Sequence, residues 1–544
     1  MTRRWNGWGD ESIHLALNDD ALAFLRERLG RSITPRDASL EQACADMPSS
    51  RLPPHPLIDT SPQVRLRHGL GQSLPDWLKL RHGKPGTLPD GVAFPESGEH
   101  VQALLAYAAH HDVSLIPYGG GTSVAGHLTA PQGERPVLTA NLSRLSQLID
   151  LDPEAQLATF GAGIAGPDLE AKLRARGYTL GHFPQSFEYS TLGGWVVTRS
   201  SGQQSLRYGR IEQLFAGGRM ETPSGTLDIP CFPASAAGTD LREMVLGSEG
   251  RLGILTEATV RITPLPKGEE FHAVFFPDWS AAEDAIRTLA QAKLPLSMLR
   301  LSNATETLTT LTLAGHKKLI GWLERYLRWR GCGEGKCLLL IGVTRSNDAN
   351  GAALREALHL AKTRCGVHVG QAIGRKWKQN RFRNVYLRNA LWEHGYAVDT
   401  VETAVNWPRV RAMMQAVEHA AAIALESEGE RVHAYTHLSH VYAQGASVYS
   451  TFAYRLSGSY ERDLTRWQKL KDAVSKAIVA NGGTISHQHG VGTDHAPYLA
   501  AEKGDLGISA MQDLFRHFDP QGLMNPGKLV PDVKAQKHAA RKLA

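Results

Sequence analysis

The sequence predicts an α+β protein with two principal domains, and three observations lead there. Helix-like and strand-like segments follow one another without the strict alternation that a single doubly wound sheet requires. The chain has 544 residues, 42% of them hydrophobic, enough for about three compact bodies at ~100–200 residues each. Pro264 and Pro266 interrupt the pattern near the middle, where a domain boundary is expected.

Taken in order, residues 20–29 have the composition of a short helix, and 52–62 and 69–75 are Pro- and Gly-rich connectors. Ser97 is placed to cap a helix in which Val101, Leu104, Leu105 and Ala108 share one apolar face at i, i+3, i+4 and i+7. An apolar strand at 113–117 runs into a glycine-rich loop. Further strands are expected at 136–141, 156–161 and 252–262. A helix at 168–176 sits between Pro167 and Gly177, with Pro at the start and Gly past the end. Beyond Pro266, helices are expected at 281–294, 352–364, 409–428 and 459–481, and strands at 337–343, 432–435 and 447–454. The implied division is an N-terminal region at 1–85, a first domain at 86–266, a second at 267–480 and a returning segment at 481–544.

Composition narrows the function classes. Basic residues exceed acidic ones by 60 − 54 = 6, with no domain-wide basic stripe, so no nucleic-acid partner is expected. The most apolar runs, 420–425 and 337–343, are far shorter than the ~20 residues of a membrane span. Trp5, Gly7, Trp8 and Gly9 stand where a signal peptide needs an apolar core. Five cysteines at irregular spacing make no disulfide framework. A reduced, cytoplasmic protein acting on a small molecule is expected, free to touch a membrane surface.

The motifs cluster in the first half. Pro117-Tyr118-Gly119-Gly120-Gly121-Thr122-Ser123 can turn successive backbone N–H groups onto a pyrophosphate, and Thr122 and Ser123 add hydroxyls. Gly161-Ala162-Gly163-Ile164-Ala165-Gly166 is a literal G-x-G-x-x-G, but the segment after its helix, 178–184, is broken by Gly and Pro. It lacks the second parallel strand of a dinucleotide fold and reads as a turn. Residues 331–337 contain Gly335-Lys336 without the remainder of an ATP-binding loop. Two more Gly/Ser/Thr-rich stretches, 184–210 and 246–256, interleave small residues with apolar ones. That composition suits backbone packed on a large flat ligand.

Together these stretches resemble the FAD-binding half of the vanillyl-alcohol-oxidase superfamily, with its PCMH-type FAD domain, and most of all the alkyldihydroxyacetonephosphate synthase (alkylglycerone-phosphate synthase) family. The resemblance rests on residues 117–123, on Pro184-Gln185-Ser186-Phe187-Glu188-Tyr189-Ser190, on Thr198-Arg199-Ser200-Ser201 and on Gly247-Ser248-Glu249-Gly250-Arg251-Leu252-Gly253-Ile254-Leu255. An N-terminal Trp5-Asn6-Gly7-Trp8-Gly9 adds to it. What it implies is a two-domain flavoprotein with an α+β substrate or cap domain, a homodimer, in which 117–123, 184–190, 198–201 and 249–255 hold the cofactor. The FAD is expected to be non-covalent, because 119–123 offers no histidine; His127 is the nearby alternative.

The resemblance also implies catalytic positions: Arg300 in Leu299-Arg300-Leu301, Tyr454 before Arg455 as the proton carrier, and His487 and His489 in Ser486-His487-Gln488-His489-Gly490. The family's substrate-phosphate arginine falls at His437, an imidazole that lacks the bidentate fork of a guanidinium. Read from the residues alone, His433, His437 and His440 with Tyr435 and Tyr442 on one segment, and His487 and His489 on a Gly-bounded loop, fit two chemistries. One is proton transfer beside the flavin. The other is a divalent metal held by imidazoles, ranked second because Gln488 is a neutral amide; no metal site is assigned. The implied reaction exchanges an acyl for an alkoxy group on a keto substrate through an adduct at flavin N5, with no net redox. The alternative is an FAD oxidoreductase taking hydride from a 2-hydroxy acid or alcohol.

Overall fold

The computed structural model describes residues 2–313, 317–345 and 349–531. Its first sheet has the strands Ile58–Asp59, Gly91–Ala93, Val137–Asn141 and Ser114–Tyr118 in that order, the last three parallel. The connecting helix Gly98–His111 is capped by Ser97, whose side chain accepts from the His100 N–H. It buries Val101, Leu104, Leu105 and Ala108, the expected apolar face, against this sheet.

A five-stranded antiparallel sheet follows, in the order Leu148–Asp152, Leu157–Gly161, Ile254–Arg261, Phe215–Thr222, Gly225–Ile229. The literal G-x-G-x-x-G lies where Leu157–Gly161 turns into the helix Gly166–Arg174. After that helix the chain forms only Tyr178–Thr179, antiparallel to Thr263–Pro264, so no parallel crossover exists there. Its glycines serve packing, since a Cβ on Gly163 would lie 1.7 Å from the Leu142 carbonyl oxygen. Gly335-Lys336 is likewise structural, with Lys336 paired to Glu324 at 3.1 Å.

The remaining chain builds a seven-stranded antiparallel sheet. Its order is Val367–His368, Gly268–Phe276, Cys337–Arg345, Met298–Ser302, His433–Val441, Gly445–Arg455, Tyr396–Asn406. Strands 268–276, 298–302 and 396–406 were not expected from the sequence, and 433–441 extends the expected 432–435. Helix Trp279–Gln291 buries Ala282, Ala285, Ile286 and Leu289, again at helical spacing. Trp407–Ala424 and Tyr460–Ala480 pack on each other beside the strands 445–455 and 396–406.

The chain then returns to the first sheet. After helix Ala500–Phe518, Leu115 donates to the Leu523 carbonyl and Asn525 donates to the Leu115 carbonyl. The loop 486–492 is thereby held between the two halves. All five cysteines are unpaired. Among the described residues no helix is long and apolar enough to cross a membrane.

Candidate active site

The cofactor cradle begins where Ser114–Tyr118 ends at the carboxyl edge of the parallel strands, the edge at which open α/β sheets bind ligands. Its glycines are required by close approach. A Cβ on Gly120 would stand 1.8 Å from the Tyr189 carbonyl oxygen, and one on Gly119 would stand 2.3 Å from Thr191 Oγ1. Thr191 in turn caps the short helix Leu192–Val197, accepting from the Gly194 N–H. A cavity of about 410 Å³ opens beside this loop, lined by Tyr118, Gly119, Gly120, Asn141, Gly163 and Thr191. In the two other Gly/Ser/Thr-rich stretches, Ser201 Oγ and Ser248 Oγ are buried with no hydrogen-bond partner. A glycine-cradled cavity of this size fits part of a dinucleotide.

The other expected cofactor residues are placed variously. Gln185 is exposed, and Phe187 stacks on Phe382 at 4.9 Å inside the core. Burial raises the Glu188 carboxyl. Tyr189 packs edge-on to Trp8. Ser190 Oγ accepts from the Trp195 indole at 2.7 Å. Thr198 Oγ1 donates to the Gly194 carbonyl, Arg199 pairs with Glu243, and Ser200 Oγ lies 3.2 Å from His182 Nε2. Ser123 Oγ meets His127 Nδ1 at 2.6 Å. Gly250 passes beside Pro117, and Arg251 donates to the Asn525 carbonyl. Leu252, Ile254 and Leu255 are core residues. A Cβ on Gly253 would stand 2.2 Å from the Glu221 carbonyl oxygen.

Two buried carboxylates shape the histidine loop. Glu402 accepts from the Ser486 hydroxyl and from the backbone N–H groups of His487, Gln488 and His489, all at 2.8–3.1 Å. Glu249 accepts from the Val491 and Gly492 N–H groups and stands 3.1 Å from His127 Nε2. Every N–H from 487 to 489 thus points at one carboxylate. This folds the loop so that its imidazoles face the sheet.

The sheet supplies the opposing wall through its register. Ser302, His437, Tyr449 and Glu402 are direct partners across four adjacent strands, so they project from one face. His437 stacks on Tyr449 at 4.8 Å, and Tyr449 meets His489 edge-on at 5.6 Å. Arg300, two residues before Ser302, binds Glu306 at 2.5 Å, and His437 Nδ1 lies 3.0 Å from the other Glu306 oxygen. Burial opposes the charge on Glu306, yet His437 and Arg300 together hold its carboxyl down at about 2. An ionised carboxylate only accepts, so Nδ1 of His437 carries the proton and Nε2 is left as an acceptor.

A second imidazole group adjoins. His487 Nε2 lies 2.6 Å from the Tyr442 hydroxyl, and Arg210 donates to that hydroxyl and to the His487 carbonyl. Tyr442 therefore donates to Nε2, and the His487 proton resides on Nδ1, 3.6 Å from Glu402. Burial drives the pKa of His487 well below the ordinary histidine value, with His440 and Arg210 adding to it. Burial also brings His440 and His182 to about 3 and lowers His437 and His489. The imidazoles are neutral bases. His433 sits apart, edge-on to Phe24 with Nε2 3.0 Å from Thr309 Oγ1.

Tyr454 takes the other face of its strand. It follows Tyr449 by five positions on one strand, and an odd spacing turns it to the opposite face. There it is fully enclosed in the core, its hydroxyl unpartnered and its pKa raised by burial well above that of a free tyrosine. The tyrosine among the histidines is Tyr449, whose pKa burial raises to about 12. The sequence reading also missed Glu402, Glu306, Arg210 and Arg388. Arg388 is half-buried over the Trp77 ring at 4.2 Å, with Nη2 unpartnered, and desolvation lowers its pKa to about 10. Among the described residues, no three His, Cys, Asp or Glu side chains converge as metal ligands.

A glycine-cradled cleft beside a wall of neutral imidazoles defines an FAD-linked enzyme, and comparison with known proteins agrees. Residues 89–228 match the FAD binding domain, and 265–529 match the C-terminal domain of FAD linked oxidases. The chain is 30% identical to the alkyldihydroxyacetonephosphate synthase of Dictyostelium discoideum over 87% of its own length and 79% of that protein. Against the Trypanosoma brucei brucei protein of the same name it is 26% identical over 99% of itself and 94% of the relative. A solved alkyldihydroxyacetonephosphate synthase superposes with a TM-score of 0.81 at 25% identity, covering 96% of this chain and 98% of the other. The fold is shared with p-cresol methylhydroxylase, at a TM-score of 0.67. The chain belongs to the alkyldihydroxyacetonephosphate synthase family of FAD-dependent enzymes.

Proposed function

We propose that this enzyme is a synthase of the alkylglycerone-phosphate type, exchanging the acyl group of a keto ester for an alkoxy group without net electron transfer. The supporting observation is the wall made by His437, Tyr449 and His489, uncharged proton carriers in contact, the first pair face to face and the second edge to face. Bound FAD, held by the 117–123 loop and its neighbours, supplies the reversible covalent chemistry at its ring system.

The chain's own residues manage protons and charge. The incoming alcohol must lose one proton and the departing acyloxy group, ester oxygen included, leaves as a carboxylate, so the proton balance needs a base that stays neutral until used. His437 Nε2 is such an acceptor, because Glu306 holds the other ring nitrogen. Tyr449, face-on to His437 and edge-on to His489, is the hydroxyl-bearing ring of this wall and its proton carrier. Arg388 supplies the cation for a substrate phosphate that His437 does not, since its Nη2 has no hydrogen-bond partner and can donate to an anion. The reading carries with it the cytoplasmic homodimer expected from the sequence, which sedimentation and cell fractionation test.

The deciding experiment incubates the yellow protein with an acylated dihydroxyacetone phosphate and an isotopically labelled long-chain alcohol. Label in an ether product, with release of one fatty acid and no reduction of dye or oxygen, is the expected result. Anaerobic bleaching of the flavin by 2-hydroxy acids, with turnover only when an electron acceptor is added, would overturn it in favour of an oxidoreductase.

A further inference from the structure

The N-terminal Trp5-Asn6-Gly7-Trp8-Gly9 belongs to neither the histidine wall nor the glycine cradle in sequence, yet the structure brings it to the cofactor cavity. Residues 2–13 form a strap, closed by a bridge between Arg3 and Asp10. One side is latched to the second half of the chain: the Trp8 N–H donates to Asn389 Oδ1, Asn389 Nδ2 donates to the Trp8 carbonyl, and the Asp10 N–H donates to the Tyr386 hydroxyl. The glycines are demanded by that latch. Gly9 has φ +81° and its Cβ would stand 2.2 Å from the Tyr386 ring, while a Cβ on Gly7 would stand 2.6 Å from Asn389 Oδ1.

The other side of the strap faces the 410 Å³ cavity, opposite Gly119 and Gly120. Arg3 Nη2 donates to the Gly121 carbonyl at 3.4 Å, and its guanidinium lies over the Tyr189 ring at 5.2 Å. Arg67, from the helix Pro62–His68, holds the strap by donating to the Arg3 carbonyl. Arg3, Arg4 and Arg67 all line the cavity, and none forms an ion pair among the described residues. The carboxylate in the lining is Asp168. Unneutralised guanidiniums facing a glycine-lined backbone loop are an anion site in need of its anion.

We propose that residues 2–13 are a cofactor strap, in which Arg3 and Arg67 close over the diphosphate of FAD against the 117–123 loop and the Trp8/Gly9 latch sets how fast FAD leaves. This rests on FAD being the cofactor and adds residues from outside the FAD domain to its binding. The strap makes cofactor retention depend on the docking of the second half, because its anchors, Tyr386 and Asn389, belong there.

The test measures FAD dissociation from the purified holoenzyme by recovery of flavin fluorescence, and ADP and riboflavin affinity of the apoprotein, over a range of salt. Arg3→Gln and Arg67→Gln should each weaken FAD and ADP binding about tenfold, flatten the salt dependence and leave riboflavin affinity unchanged, with Arg3→Lys recovering most of the loss. Gly9→Ala should speed FAD release about tenfold with the thermal midpoint of the apoprotein little changed. Unchanged ADP affinity and salt dependence in the Arg3→Gln/Arg67→Gln protein would overturn the proposal, as would a loss confined to riboflavin. A wild-type protein that takes up no FAD would instead sink the flavin reading itself, a distinguishable outcome.

Discussion

Replacing Glu402 by Gln tests whether one buried carboxylate builds the histidine loop. Oε1 of Glu402 accepts from Ser486 Oγ, Gln488 N and His489 N, and Oε2 accepts from His487 N and Gln488 N. A glutamine keeps one acceptor oxygen, best placed where Oε1 serves its donors. Its NH₂ then faces the His487 N–H at 2.8 Å, donor against donor. One charge-assisted bond is lost and a second weakened by about half, at ~1.5–3 kcal/mol for a full bond, so the loop is destabilised by about 2–4 kcal/mol. At 1.36 kcal/mol per decade, that misplaces His487 and His489 enough to lower kcat by about 30- to 1000-fold. The assay is steady-state kcat and KM on FAD-loaded protein, with the flavin spectrum confirming occupancy and Glu402→Asp as the charge-retaining control. A Glu402→Gln enzyme within twofold of wild type would refute the reasoning. So would equal losses in Gln and Asp, because shape rather than charge would then hold the loop.

Other substitutions separate the remaining roles. Tyr449→Phe should lower kcat by about 100-fold, a typical loss of a proton carrier, whereas Tyr454→Phe should stay near wild-type activity. Because it removes an unsatisfied buried hydroxyl, Tyr454→Phe should also raise stability by about 1 kcal/mol in chemical denaturation; the reverse ranking in kcat would reinstate Tyr454. Arg388→Gln should raise KM for a phosphorylated keto ester at least tenfold while leaving that for the alcohol unchanged, and equal shifts in both would remove Arg388 from phosphate binding. His182 and His440, brought by burial to about 3, bind fewer protons folded than unfolded. Their stabilising effect is complete above the ordinary histidine value of about 6.5 and is lost as pH falls from there towards 3. Each should cost about 2–3 kcal/mol by pH 4.5, seen as a falling thermal midpoint that His440→Asn makes less steep; a flat midpoint from pH 7 to 4.5 would contradict the buried neutral state.

Much of the cofactor half was legible because its signals are backbone signals. Gly119, Gly120 and Gly163 stand where a Cβ would collide, and such glycines are visible in a sequence as clusters. The Ser97 cap and the apolar face of 98–111 were legible for the same local reason. The histidine wall was only half legible. His487 and His489 announce themselves on a Gly-bounded loop, but Glu402 lies in a strand reading Thr400-Val401-Glu402-Thr403, where a lone acid resembles any polar position. Choosing between Tyr449 and Tyr454 needs the register of Gly445–Arg455, and the sequence carries both tyrosines with no mark of which face each takes.

The same register explains why His437 in place of an arginine need not empty the site of positive charge. The row Ser302–His437–Tyr449–Glu402 is filled across its four strands, and a guanidinium at 437 would stand beside Arg300 with Glu306 as their shared carboxylate. An imidazole there can be neutral, which turns Glu306 into a device that fixes a tautomer rather than one that balances two cations. The charge a phosphate requires can then come from Arg388, which stacks on Trp77 and donates through Nη1 to the Gln72 carbonyl. On the proposed reading, proton transfer and anion binding fall to different residues, and the two functions should be lost separately by mutation.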